Sequence, residues 1–382
     1  MSLVSFFADL SGEMVYPIIP LFITGTLGAP AVAVGITEGV AEGTANLTKL
    51  ISGRWSDRMN ARKPFVVAGY ALAALGKLVL GIAPAWGVAL GGRTLDRFGK
   101  GIRTAPRDAL LADFTDEKHR GRVFGFHRSM DSLGAVFGPL VGLIFLWADA
   151  PLRMIILLAV VPGFVAVFVL RWLPERKPDG DGAAAGSQVP RPKLPAAFWL
   201  VLSVTTVFML GNSSDAFLIL RSKDLGMTTT LVVLAYVTYN VVYSALSLPS
   251  GIISDRIPRV WVMLAGYVVF ALVYAGFAAA GSEGVVWPLF MIYGAYIALT
   301  DGVSKALVAD MVPKSARSSA MGLFQGVNGI AALAASITAG ILWDQVSVSA
   351  PFVLGASLAA VAAVGLVLLA LSGRLRPAPL TA

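Results

Sequence analysis

The chain has no cysteine. That excludes a disulfide framework, thiolate metal sites and a cysteine nucleophile. Histidine is almost missing too, with His119 and His127 the two in 382 residues, so a histidine-cluster metal site is out of reach. Charge is sparse: Asp, Glu, Lys and Arg make up 14% of the chain, against about 25% in a soluble domain. Gly-x-Ser-x-Gly elbows are absent, and the Gly-rich stretches sit inside apolar runs rather than after strands, so neither a hydrolase nor a nucleotide fold is implied.

Apolar residues fill 57% of the chain. A helix crossing a bilayer needs about 20 mostly apolar residues, and such runs recur from end to end. The pattern predicts spans at 3–25, 30–52, 64–84, 86–108, 121–146 and 152–173, then at 196–220, 229–251, 259–281, 285–308, 316–342 and 350–372. The opening MSLVSFFADLSGEMVYPIIP has no basic leader and no small-residue cleavage site, and it carries two carboxylates. It reads as a retained first span rather than a signal peptide. Residues 174–195 are polar and rich in Gly and Pro, as a flexible linker is. The expected organisation is an N-terminal six-helix bundle over 1–173, a cytoplasmic linker, and a C-terminal six-helix bundle over 196–382.

The net charge of +8 is a matter of topology rather than of nucleic acid. Lys and Arg gather in loop 2–3 (Arg54, Arg58, Arg62, Lys63), loop 4–5, the linker, loops 8–9 and 10–11, and the tail. The alternate side carries Arg153, Arg221 and Lys223. The excess of positive charge marks the cytoplasmic side, which places both termini in the cytoplasm of a multi-pass inner-membrane protein.

The two halves repeat. GRWSDR (53–58) parallels GIISDR (251–256), RDALLAD (107–113) parallels SKALVAD (304–310), and FGFHRSMDSLG (124–134) parallels MGLFQGVNGIA (321–331), at an offset of 197 or 198 residues. Parallel six-span repeats are a transporter construction, with the substrate site between the halves.

Three stretches carry a family resemblance over essentially the whole chain. Gly53, Asp57 and Arg58, followed by Arg62 and Lys63, resemble the loop 2–3 signature of the major facilitator superfamily, and Gly251, Asp255 and Arg256 repeat it. Arg97-Phe-Gly-Lys100-Gly101 resembles the intramembrane Arg-x-x-Gln-Gly signature of span 4, with Lys100 where glutamine is usual. Gly125, Gly134, Gly138, Pro139 and Gly142 resemble the glycine–proline motif of span 5 that is associated with exporters, with Leu143 in place of its final glycine. The resemblance implies an all-α membrane protein, twelve transmembrane helices in two pseudo-symmetric six-helix bundles, and alternating access. Gly53, Asp57, Arg58, Arg62, Asp113, Gly251, Asp255 and Arg256 would form the gating motifs.

Ionisable residues inside spans mark function by default. Here they concentrate in the first half: Asp9, Glu13, Glu38, Glu42, Asp96 and Asp131, with Lys49, Lys77, Arg93, Arg97, Lys100, Arg103 and Arg128. Asp9 and Glu13 share a helix face, as do Glu38 and Glu42. A carboxylate switched between an apolar setting and a cationic neighbour takes up and releases a proton. Glu13 and Asp131 are therefore the first candidates for proton coupling, with Asp9, Glu42 and Glu38 behind them and Arg97 and Lys100 as modulating charges. The alternative is a fixed ion-pair network that only stiffens the first half. The second half offers Asn212 and Asp215 in span 7, Asp301 in span 10, and Tyr236, Tyr239, Asn240 and Tyr243 along one face of span 8. These suit a substrate surface, though such residues also serve as interhelical glue.

The combined expectation is proton-coupled efflux of a small organic or amphipathic molecule by a lipid-embedded monomer. No enzyme activity, cofactor, metal or nucleic-acid partner is expected. The alternative is an organic-anion carrier using the basic stripe of span 4. A transporter-like sensor would need a signalling domain, which the sequence does not show.

Overall fold

The computed structural model describes residues 1–58, 62–113, 120–172, 194–313 and 316–372. Among these residues every element is helical. Span 1 consists of α1 (Ser2–Val15), α2 (Ile19–Leu21) and a π-helical turn, Phe22–Thr26. The first half continues with α3 (Ala31–Arg58), α4 (Lys63–Ile82), α5 (Trp86–Asp113) and α6 (Arg120–Trp147). Span 6 is α7 (Leu152–Leu158), α8 (Val160–Val169) and a closing 3₁₀ turn, Leu170–Trp172. Span 7 is α9 (Ala196–Gly211) and α10 (Ala216–Asp224). The remaining spans are α11 (Thr229–Arg256), α12 (Arg259–Ala279), α13 (Val286–Met311), α14 (Arg317–Gln345) and α15 (Ala350–Leu371).

All twelve predicted spans are thus helical. Span 6 is divided at Ala159, which keeps right-handed helical dihedrals, whereas spans 1 and 7 are broken outright and are not the continuous rods expected at 3–25 and 196–220. In span 1 the helix stops at Val15, because Pro17 has no amide hydrogen to give to the Glu13 carbonyl. In span 7 the run Asn212–Asp215 breaks the ladder. Asn212 leaves helical geometry at φ −90°, ψ 80°, and the Ser214 amide donates to the Ser336 hydroxyl at 3.1 Å instead of to its own helix. Short polar side chains compete for backbone groups in this way. The breaks fall at equivalent places in the repeat. So do Gly28 (φ 66°) and Gly226 (φ 99°), which turn the chain after spans 1 and 7 in a left-handed conformation that glycine adopts without strain.

Among the described residues, ten helical segments are long and apolar enough to cross a membrane by composition. Spans 2 and 4, α3 and α5, fall outside that set because they carry most of the buried charge. Such helices are stable in a bilayer only when their charges face protein or water rather than lipid.

Two compact units are formed. One comprises residues 1–187 with 228–237, the other 188–227 with 238–382. In the first, α5 packs against both α3 and α4, and α1 packs against α6 and α8. Gly76 and Gly92 let α4 and α5 touch backbone to backbone: a Cβ on Gly76 would sit 2.4 Å from the Asp96 nitrogen. In the second, α12 packs on α13 and α15, and α9 on α14 and α15. Its core is aromatic, with Phe208 stacked on Tyr267 and Phe270 on Tyr274, each at 3.9 Å between ring centroids.

Candidate functional site

Four buried charges form a network in the first unit. The Arg93 guanidinium donates to both oxygens of Glu38, each at 2.9 Å. Its third arm reaches Asp96 at 3.2 Å, and the Lys77 ammonium donates to the other Asp96 oxygen at 2.7 Å. All four side chains are buried. The network ties α3, α4 and α5 together. A bidentate guanidinium–carboxylate pair is the strongest geometry available for such a purpose, and its charges balance, two against two. Glu38, grouped with the proton carriers on sequence, thus sits in a neutralised scaffold.

Beside this network lies a second, looser cluster. Tyr16, at the break in span 1, has the Arg93 and Arg97 guanidinium groups over its ring at 5.4 and 5.9 Å. Its ring lies 5.6 Å from that of Tyr236, and Tyr236, one of the residues that cluster with the first unit, donates to Glu13 at 3.0 Å. Arg97 approaches the half-exposed Glu42 only to 3.9 Å, and its buried Nε has no hydrogen-bond partner among the described residues. Lys100 lies within electrostatic reach of Asp9, Glu13 and Glu42, with Arg97 beside it. The position where this sequence departs from the family signature is therefore the cationic hub of three candidate carboxylates.

The glycines of α6 set the distance between this cluster and Asp131. A Cβ on Gly134 would meet the Phe6 carbonyl at 2.6 Å and the Asp9 Cβ at 3.0 Å; one on Gly138 would meet the Leu10 carbonyl at 2.7 Å and the Glu13 Cβ at 3.0 Å. Gly142 continues the seam against Met14, and Pro139 is buried along it. The span 5 motif is thus the surface on which the two carboxylates of span 1 rest. Asp131 is within electrostatic reach of Asp9. Its Oδ1 and both ring nitrogens of His127 are buried with no hydrogen-bond partner among the described residues, and His127 Nε2 stands 3.8 Å from that oxygen. His127 was passed over on sequence because a lone histidine suggests no metal. Its i,i+4 spacing to Asp131 was the available signal.

In the second unit the equivalent positions are neutral. Lys77, Arg93 and Asp96 give way to Tyr274, Phe290 and Tyr293. Asp215, at the break in span 7, accepts from the Tyr293 hydroxyl at 2.6 Å and from Tyr239 at 3.5 Å. Asn212 donates to the Tyr296 hydroxyl at 2.9 Å. Asn240 is buried and Tyr243 half-buried. Asp301 is paired with Lys305 at 2.6 Å, both side chains well exposed. Tyr274, Tyr293 and Tyr296 were missed on sequence, where span 8 alone stood out for its tyrosines.

The sequence profile of the Major Facilitator Superfamily matches residues 1–236 and again 200–381. An uncharacterised MFS-type transporter of Methanocaldococcus jannaschii is 37% identical over 372 residues, which cover 96% of this chain and 92% of that one. This chain belongs to the major facilitator superfamily. A multidrug resistance protein, MdtH, of Edwardsiella ictaluri is 31% identical over 129 residues, 34% of this chain and 32% of that protein. The crystal structure of the nucleoside transporter NupG superposes with a TM-score of 0.79 at 14% identity, covering 96% of this chain and 97% of that one, a likeness of fold.

As a major facilitator, the protein is a secondary carrier that works by alternating access, not an enzyme. The superfamily's loop signature is visible in its second copy. Arg259 bridges Asp255 and Asp310, each at 3.2 Å, and so links the ends of spans 8 and 10. Gly251 and Arg256 lie on the same segment of α11, with Arg256 exposed. In the first copy Arg62 donates to the Ala109 carbonyl at 3.2 Å, joining the start of span 3 to span 4. The surroundings of Gly53 and Gly125 and the side chains of Asp57, Arg58 and Asp113 lie outside what is described, as do most of the linker and the basic tail.

Proposed function

We propose that the protein is a proton-coupled exporter of a small organic or amphipathic molecule. One observation carries this reading. In the second unit Thr206 donates to Asn328 at 3.4 Å. At the equivalent places the first unit has Asp9 and Asp131. An uncharged hydroxyl–amide contact in one repeat is matched by two carboxylates in the other. Asp9 and Asp131 are like charges within electrostatic reach of each other, with Lys100 also in reach of Asp9, and one bound proton relieves their repulsion. Glu13 joins them through the shared face of α1 and through Lys100. Glu42, loosely held by Arg97, is the fourth candidate, and Glu38 belongs to the scaffold. The span 5 glycine seam and the partial similarity to a multidrug resistance protein support efflux over uptake. The Lys and Arg excess of the loops supports a multi-pass inner-membrane reading with both termini cytoplasmic.

The test uses proteoliposomes with an imposed pH gradient and a pH-sensitive dye inside, screened with lipophilic cations, organic anions and neutral solutes. Substrate addition is expected to move protons in the wild type. Asp9→Asn, Asp131→Asn and Glu13→Gln are expected to abolish proton movement while substrate exchange persists. Wild-type proton movement in all three variants would overturn the assignment. Arg97 supports the organic-anion reading, since its buried Nε lacks a partner among the described residues. Transport inhibited by organic anions but not by lipophilic cations would favour that reading.

A further inference from the structure

Outside the charged interior, the first unit has a groove of about 630 Å³ between spans 3 and 6. Its walls are Val67 on α4 with Phe164, Val167 and Phe168 on α8, and two cations, Lys63 and Arg171, stand at one end. The arrangement follows from the topology. Lys63 opens α4 and Arg171 lies in the turn that closes span 6, so antiparallel spans bring the two cations to the same level. The apolar wall extends from Arg171 back to Phe164, seven residues or roughly 10 Å along a helix at about 1.5 Å per residue. Phe164 and Phe168 are 42% and 51% exposed, so among the described residues the wall is open. The Arg171 guanidinium sits over the Phe168 ring at 5.7 Å, which holds it at the mouth of the groove.

We infer that this groove is a binding site for one anionic phospholipid, with the headgroup phosphate on Lys63 and Arg171 and an acyl chain along Val67, Phe164 and Phe168. Charge complementarity selects the occupant. Annular lipid of any kind can cover an apolar wall, but paired cations at its rim distinguish an anionic headgroup from a zwitterionic one. Basic pockets between membrane helices on the cytoplasmic side bind anionic headgroups in this way, and guanidinium is well suited to phosphate. The rim lies at the end of the bundle where loop 2–3 and the linker carry their Lys and Arg, so the lipid belongs to the cytoplasmic leaflet.

The experiment is native mass spectrometry of the full chain in detergent, titrated with phosphatidylglycerol, with phosphatidylcholine or with inorganic phosphate. Thermal unfolding is followed in parallel. The wild type is expected to retain one phosphatidylglycerol per chain and to gain thermal stability from it, while phosphatidylcholine is retained more weakly and inorganic phosphate does not displace the bound lipid. The double variant Lys63→Gln/Arg171→Gln is expected to lose the preference for the anionic lipid. Val67→Trp, which fills the groove and leaves the charges in place, is expected to lose the bound lipid of either kind. Equal retention of both lipids by the wild type would overturn the inference with no variant needed. So would an undiminished preference in a monodisperse, folded double variant, or displacement by inorganic phosphate alone.

Discussion

At the scale of single residues, the charges of the first half divide into two populations that composition cannot separate. Glu38 and Arg93 are 55 positions apart, and no local pattern in the sequence pairs them. Helix periodicity indicated that Glu38 and Glu42 share a face, yet one is locked to a guanidinium and the other is half-exposed. The difference lies in which neighbouring helix each turn meets, which is a tertiary property. The locked set has a measurable signature. Arg93→Met is expected to cost about 3–5 kcal/mol, because it leaves the buried Glu38 carboxylate without its partner. Glu38→Met/Arg93→Met is expected to recover part of that loss. Thermal unfolding in detergent checks both. A double variant less stable than the single one would refute a scaffold role.

At the scale of elements, the number and order of the spans were legible because twenty-residue apolar runs leave little choice in a bilayer. The breaks in spans 1 and 7 were not read, although Pro17 and the run Asn212–Asp215 were in view. Hydropathy averages over an interruption of three or four residues. The role of the α6 glycines was only half legible: their spacing announced a close helix contact but not that the partner was the face of α1 bearing Asp9 and Glu13. Gly138→Ala is expected to destabilise the protein by about 1–3 kcal/mol through overpacking, since its new Cβ would lie 2.7 Å from the Leu10 carbonyl. Gly12→Ala, on α1 with nothing within 4 Å of the added carbon, is the control and is expected to leave the unfolding temperature unchanged or slightly raised.

At the scale of the whole molecule, the sequence repeat is matched by a repeated backbone, and the two copies have diverged in chemistry rather than in form. The Arg259 bridge of the second copy offers a separate test. Asp255 and Asp310 are 71% and 53% exposed, so their pairing with Arg259 contributes little to stability, about 0–1 kcal/mol. Arg259→Gln is therefore expected to change the transport rate several-fold while the unfolding temperature barely moves. If neither changes, the bridge is an ordinary surface pair with no part in gating.

The balance of charge among Glu38, Arg93, Asp96 and Lys77 also bears on how the carrier responds to the membrane potential. Moving one elementary charge through the full field costs about 2.3 kcal/mol per 100 mV. A cluster of zero net charge can rock through part of that field at almost no electrical cost. The voltage sensitivity of the cycle then falls to the groups around Lys100 and to whatever the carrier transports, so current measured during turnover reads the charge carried rather than the motion of the scaffold.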